Sequence, residues 1–316
     1  QGISPFGVYV TSPDYLGWVQ DIPALAAVCR AQDVPLLVDN AHGAYLRFLP
    51  QNCHPIAQGA AMCCDSAHKT LPVVTGGAYL HLGHNAPVQD EAAVRGALAL
   101  FGSTSPSYLI LQSLDACNAV LAGDYPRRLV QCCAALEGLR RSLNKAAAAR
   151  QCPVPLAVAG AQQEPMKLTL DAAALGCTGT ALADALRRAQ LECEYADPRY
   201  VVLMFTPENP PQDYTRLQTV LEQLLAAVPA GLSRPENRAG EFAALQQQAV
   251  QRCTIRQAVL GAQVRIPVHK ALGRVCAMPT VSCPPAIPVA VSGEEITQAA
   301  IVLMQRYGIE ELSVLR

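Results

Sequence analysis

Short apolar runs alternate with polar, proline- and glycine-bearing stretches along the first part of this chain. Gly7-Val8-Tyr9-Val10, Val34-Pro35-Leu36-Leu37-Val38 and Ala60-Ala61-Met62-Cys63-Cys64 are too short for helices and read as strands, the second apolar enough to be covered on both faces. Thr11-Ser12-Pro13-Asp14-Tyr15-Leu16-Gly17 is a loop, because its proline and glycine break any regular element. Asp21 then predicts an N-cap for a helix from Ile22 to about Ala31. Pro23 sits early in it, where a missing N–H is harmless, and Leu25, Val28 and Cys29 share one face. Strand, helix, strand, strand predicts parallel crossover units with helices covering the sheet. Gly76 to Leu82 adds another strand.

Helical spacing follows over 88–100, with Glu91 and Arg95 four apart, over about 106–120, and over 125–149. Gln151-Cys152-Pro153-Val154-Pro155 breaks the pattern and marks a domain boundary. Beyond it the pattern predicts a strand at 166–170, a helix from Thr178 to Ala189, a strand at 200–205 and a helix from Pro211 to Val228. That order describes a small α/β domain. The polar segment 234–240 reads as a linker, which divides the chain into regions 1–150, 151–233 and 234–316.

With 316 residues, 51% of them hydrophobic, the chain can bury a large core and form two or three compact units. Its 24 basic and 25 acidic residues leave a net charge of −1, which gives no electrostatic footprint for nucleic acid or an anionic membrane. No apolar stretch reaches the roughly 18–20 residues of a membrane span, and Gln1-Gly2-Ile3-Ser4 lacks the regions of a secretory signal, so a cytoplasmic protein is expected. None of the 13 cysteines forms a C-x-x-C pair. They read as reduced, buried thiols, and no metal-ligand set is assigned.

Chemistry concentrates in two motifs. Asp39-Asn40-Ala41-His42-Gly43 follows the second strand and Asp65-Ser66-Ala67-His68-Lys69-Thr70 the third, with Lys69 thirty residues after Asp39. Ligands of such sheets bind beyond the carboxyl ends of strands, where both motifs fall. A lysine amine and a carboxylate there point to pyridoxal 5'-phosphate: the amine holds the aldehyde as a Schiff base, and the carboxylate keeps the pyridine nitrogen protonated. The competing readings are a solvated lysine and a capping aspartate. Ser103-Thr104-Ser105-Pro106-Ser107, ahead of a helix, either holds a phosphate or carboxylate or simply caps that helix.

Four stretches, in matching order and spacing, carry a resemblance to the bacterial ornithine/lysine/arginine decarboxylases: Thr11 to Gly17, Asp39 to Ala44, Asp65 to Pro72, and Ser103 to Tyr108. A weaker fifth, from Gly273-Arg274-Val275 through Pro284-Pro285-Ala286-Ile287-Pro288 to Gly293-Glu294, resembles that family's C-terminal domain. The resemblance implies an α/β protein with the aspartate-aminotransferase fold. A three-layer α/β/α large domain, present in part, would bind the cofactor at 1–150, followed by a smaller α/β domain and the decarboxylase C-terminal region.

It further implies that Lys69 bonds the cofactor, Asp39 pairs with the pyridinium nitrogen and His42 supports the ring oxygen. Ser66 and His68 resemble positions at the phosphate and beside the reacting carbon, with His68 or Lys69 as the proton donor. Ser103-Thr104 resembles a loop reaching the neighbouring subunit's phosphate, which requires a homodimer or higher oligomer with shared active sites. The implied reaction is decarboxylation of arginine, lysine or ornithine. An aminotransferase, an aldolase-like lyase and a truncated, non-catalytic remnant stay open as alternatives. Glu164, Glu194 and Asp197 are candidate partners for a distal substrate cation, each also readable as a surface charge.

Relatives carry a further stretch before the point matching Gly7, with a phosphate-gripping loop and a ring-stacking side chain. The chain is therefore read as lacking the family's N-terminal part, whether as a fragment, a truncated gene product or one half of a two-chain enzyme. Any core surface left uncovered by the missing strands would favour aggregation or a partner.

Overall fold

A computed structural model describes residues 5–102, 105–152, 163–229, 245, 247–282 and 287–316. Two compact units emerge: Gln1–Arg150, Val154–Leu170 and Val202–Ala227 make the first, and Gln151–Pro153, Asp171–Val201 and Val228–Arg316 the second.

The first unit is built on a four-stranded sheet of order β1-β2-β3-β4, with β1 at Val8–Thr11, β2 at Leu36–Asp39, β3 at Met62–Asp65 and β4 at Tyr79–Leu82. β1, β2 and β3 are parallel, as the crossover pattern predicts, whereas β4 returns antiparallel to β3. Register places Asp39 beside Thr11 on one side and Cys64 on the other, so the carboxyl ends of three strands lie level.

The first crossover is α1 (Ile22–Ala31), whose N-cap Asp21 accepts from Ala24 N at 3.0 Å. Its buried stripe is Ile22, Ala26 and Cys29, and Val28 is exposed, contrary to the expected face. A stripe anchored at Ile22 recurs every three to four residues at 25/26 and 29 and turns 28 outward. The stripe packs on Leu36, Val38, Ala60 and Cys63, and Ile22, Leu36 and Val38 each contribute about 1.5–3 kcal/mol by their burial. Leu37 and Asp39 are only half-buried, so β2 is covered on one face and partly on the other.

A 3-10 turn at Ala44–Phe48 lies between β2 and β3, and one helical turn, α2 (Ala67–Thr70), follows β3. Next come α3 (Glu91–Phe101), α4 (Tyr108–Ala122) and α5 (Tyr125–Ala149). Asp90 caps α3 and Ser107 caps α4, and Glu91 pairs with Arg95 at 2.7 Å. None of the α3 residues is buried, which leaves Leu98, Leu100 and Phe101 exposed at its C-terminal end.

Further along the chain come β5 (Lys167–Asp171), α6 (Gly179–Arg188), β6 (Tyr195–Ala196), β7 (Tyr200–Met204) and α7 (Pro211–Ala227), with β5, β7 and β6 forming a sheet in that order. In the first unit Leu217, Leu221 and Leu225 of α7 are buried, and α7 packs against α5. The fully buried Arg140 of α5 donates to the carbonyl oxygens of Pro165 at 2.8 Å and Lys167 at 2.5 Å.

In the second unit Thr178 caps α6, and a Cβ at Gly179 would strike the carbonyl oxygens of Asp197 and Tyr200, so only glycine permits that close approach. Its C-terminal part contains α8 (Ile255–Leu260), β8 (Gln263–Pro267), β9 (Thr280–Ser282), β10 (Ile287–Ala290), α9 (Gln298–Arg306) and β11 (Glu311–Leu315). β8 pairs with β11 and β9 with β10, both antiparallel, around a core that includes Val268, Cys276, Ile301, Met304 and Val314.

No disulfide joins any two cysteines among the described residues, and half of these cysteines are buried as expected. Cys64 is exposed, because strand alternation turns it away from the core that takes Cys63. No helix among the described residues is long and apolar enough to cross a membrane. The proposed linker 234–240, Ser103-Thr104 and Pro284 to Ala286 lie outside the described residues.

Candidate active site

Strand β2 ends on Asp39, which places its carboxylate at the carboxyl edge of the sheet. Oδ1 accepts from Ala41 N at 3.0 Å, and Oδ2 accepts from the Tyr9 hydroxyl at 3.1 Å. Tyr9 precedes by two the residue paired with Asp39, so strand alternation brings both side chains to one face. Burial, and then the charge of Asp39, push the Tyr9 hydroxyl up to about 12, so it stays protonated at neutral pH and donates.

His42 lies three residues beyond Asp39 and is buried, with Nε2 3.3 Å from Lys69 Nζ and its ring edge-on to Tyr15 at 5.0 Å. Burial lowers its pKa to about 3, helped by the positive charges of Lys167, Lys69 and His68. The ring is therefore neutral, with one donor and one acceptor nitrogen. With Lys69 donating to Nε2, the ring proton sits on Nδ1, a buried atom without a hydrogen-bond partner among the described residues.

His68 and Lys69 lie on α2, directly after β3. His68 Nδ1 is 2.9 Å from the carbonyl oxygen of Gly77, which can only accept, so Nδ1 carries hydrogen and a neutral ring keeps its lone pair on Nε2. Ser66 occupies the cap position of α2 without capping it through its side chain. Asp39, His42, Ser66, His68 and Lys69 thus follow the ends of two adjacent parallel strands.

One residue that the sequence analysis does not flag, Lys167, lies beside this region. Lys167 is buried, donates to the carbonyl oxygens of Asp14 and Tyr15 at 3.1 Å each, and lies 5.3 Å from the Tyr15 ring centroid. Glu164 is buried and accepts from the Tyr45 hydroxyl and from Met166 N. Glu164 and Asp197 are therefore not surface charges: Asp197 is buried and binds the Tyr195 hydroxyl and the backbone N–H groups of Arg199 and Tyr200. Both carboxylates are committed to internal partners. Glu194 is exposed.

The donor set fits an anionic, ring-bearing group. Lys69 and Lys167 impose positive potential on His42, Nδ1 of His42 offers a buried N–H to an acceptor oxygen, and Asp39 supplies a carboxylate at the end of β2.

Residues 4–212 match the family described as Orn/Lys/Arg decarboxylase, major domain. The chain belongs to that family. It is 28% identical over 303 residues to arginine decarboxylase of Bacillus subtilis (strain 168), covering 93% of this chain and 60% of that protein. The chain thus spans about 60% of the length of this curated relative. The structure is similar to the constitutive lysine decarboxylase of E. coli, with a TM-score of 0.73 at 16% identity, covering 99% of this chain and 58% of that one. Similarity to alanine–glyoxylate aminotransferase from Nostoc sp. gives a TM-score of 0.52 at 17% identity, covering 70% and 62%. The mixed α/β fold is thus the one shared by decarboxylases and aminotransferases of this kind.

Proposed function

We propose that this member of the Orn/Lys/Arg decarboxylase family is part of a pyridoxal-phosphate-dependent carboxy-lyase acting on a basic amino acid. The observation that carries the reading is Lys69 Nζ lying 3.3 Å from the neutral His42, next to the strand end that presents Asp39. Bound there, the cofactor supplies an electron sink for the pair left when carbon dioxide departs. Asp39 holds a proton on the ring nitrogen by its opposite charge, and Tyr9 and Ala41 N keep that carboxylate oriented. His42 offers Nδ1–H to the ring oxygen. Lys69 is the attacking amine. His68, anchored through Nδ1, presents Nε2 as a proton carrier, and Lys69 is the alternative donor. Ser66 is assigned to the phosphate, as are Ser103 and Thr104 to a neighbouring subunit's phosphate in a homodimer with shared sites. The exposed apolar end of α3, just before those two residues, is consistent with such a partner. Cysteines that form no disulfide among the described residues suit the reducing cytoplasm.

The decarboxylase reading gains support from coverage. The lysine decarboxylase likeness spans 99% of the chain, whereas the aminotransferase likeness spans 70%. Arginine ranks first as substrate on the relative's activity, with lysine and ornithine next. Incubating the cofactor-loaded full-length protein with each of the three amino acids tests the proposal. Carbon dioxide and the matching amine are expected. Keto acid instead assigns it to the aminotransferases, and a colourless protein without product makes it a non-catalytic remnant.

A further inference from the structure

We propose that His54, Asp65 and His81 form a binding site for one divalent transition-metal ion of the zinc type, separate from the residues assigned to the cofactor. The sequence does not flag the set, because its members lie on a loop and on two different strands and share no short spacing.

The sheet brings them together. Register pairs Val38 with Cys63 and Asp39 with Cys64, so Cys64 shares the face of Asp39 while Cys63 and Asp65 share the opposite face with Leu36 and Val38. On β4, His81 pairs directly with Cys63 and therefore projects to that same face. His54, on the loop ahead of β3, closes the group. Its Nε2 is 3.1 Å from Asp65 Oδ2, and Nε2 of His81 is 2.9 Å from the same oxygen. One donor atom from each residue lies within 4.8 Å of the others. With metal–ligand bonds of about 2.0–2.2 Å, a tetrahedral zinc ion spaces its donors by roughly 3.3 Å, close to the 3.1 and 2.9 Å that separate Asp65 Oδ2 from the two imidazole nitrogens.

The chemistry also suits a cation. One carboxylate and two imidazoles supply the oxygen and nitrogen donors that zinc takes. Asn40 Nδ2 donates to Asp65 Oδ1 at 2.8 Å and fixes the carboxylate plane, as outer partners of metal ligands do. Loading shifts the proton of each neutral imidazole from Nε2 to Nδ1. In His54 this sacrifices a long hydrogen bond, 3.4 Å, from Ile56 N.

All three residues line a cavity of about 590 Å³ that also meets Arg47, Asn52 and Asn118. The side chain of His81 is 38% exposed, which gives the ion a way in. Three protein donors facing a cavity leave a fourth position for water or a small anion, the arrangement of an open rather than a sealed site.

Titrating the metal-free, cofactor-free protein with Co²⁺ should give one equivalent of intense visible d–d absorption, displaced by Zn²⁺. His81→Ala should weaken Zn²⁺ binding at least about tenfold and remove the rise in thermal midpoint that Zn²⁺ gives the wild type. X-ray absorption of the zinc-loaded wild type, which does not depend on any variant folding, should show a nitrogen/oxygen shell with two imidazoles. A sulfur-dominated shell, equal affinity in His81→Ala, or no stoichiometric cobalt would each overturn the site and reduce the three residues to a hydrogen-bonded cluster. None of these readouts depends on pyridoxal phosphate.

Discussion

His42 Nε2 and Lys69 Nζ, from residues 27 apart in the chain, lie 3.3 Å from each other where β2 and β3 end. The contact holds an amine against a neutral ring at the edge where ligands of parallel sheets bind. On the proposed function, Lys69→Ala removes the amine that would bond the cofactor aldehyde. Protein carrying this change should stay colourless after incubation with pyridoxal phosphate under conditions that turn the wild type yellow, as an absorbance spectrum reads directly. Persistence of the yellow band would assign the bond to another amine.

Asp39 and Tyr9 separate charge from orientation. Asp39→Ala removes the only carboxylate assigned to the ring nitrogen and should lower turnover about a hundredfold or more, with the circular dichroism spectrum unchanged. Tyr9→Phe deletes one 3.1 Å hydrogen bond to that carboxylate, worth about 0.5–1.5 kcal/mol net, and should cost at most about tenfold. Equal losses in the two variants would contradict this division.

Because His42 titrates near 3 when folded and near 6.5 otherwise, it links stability to acid. A lowered histidine pKa means that the unfolded chain binds the proton first. The contribution is complete above pH 6.5 and is lost progressively as pH falls from there toward 3, at up to about 1.4 kcal/mol per pH unit. Denaturant titrations of wild type and His42→Gln at a series of pH values should converge as the pH drops through that window.

Asp65 holds together four side chains, His54, His81, Asn40 and Cys63. Asp65→Ala strands their donors and should destabilise the first unit by about 1–3 kcal/mol at neutral pH, measured by urea unfolding in the presence of a chelator. A neutral result would show that water replaces the carboxylate at no cost.

Local signals made the frame of this protein readable from its sequence. Asp21 and Thr178 cap the helices assigned to them, and α5 runs over the 125–149 span that its periodicity marks, because caps and hydrophobic stripes act within a few residues. Asp39 and the motif holding Lys69 could be placed at strand ends for the same reason: Asp39 and Asp65 each directly follow an apolar run. Tertiary structure alone decided the partners. Tyr9 reaches Asp39 through the β1–β2 register, Lys167 enters beside Tyr15 from more than 150 residues away, and His81 meets Asp65 because β4 runs antiparallel. Packing likewise turned Glu164 and Asp197 inward, since buried donors from Tyr45, Tyr195 and the backbone satisfy charges that composition alone would leave on the surface. Strand order and register are long-range choices set by how faces pack, and no short window of residues records them.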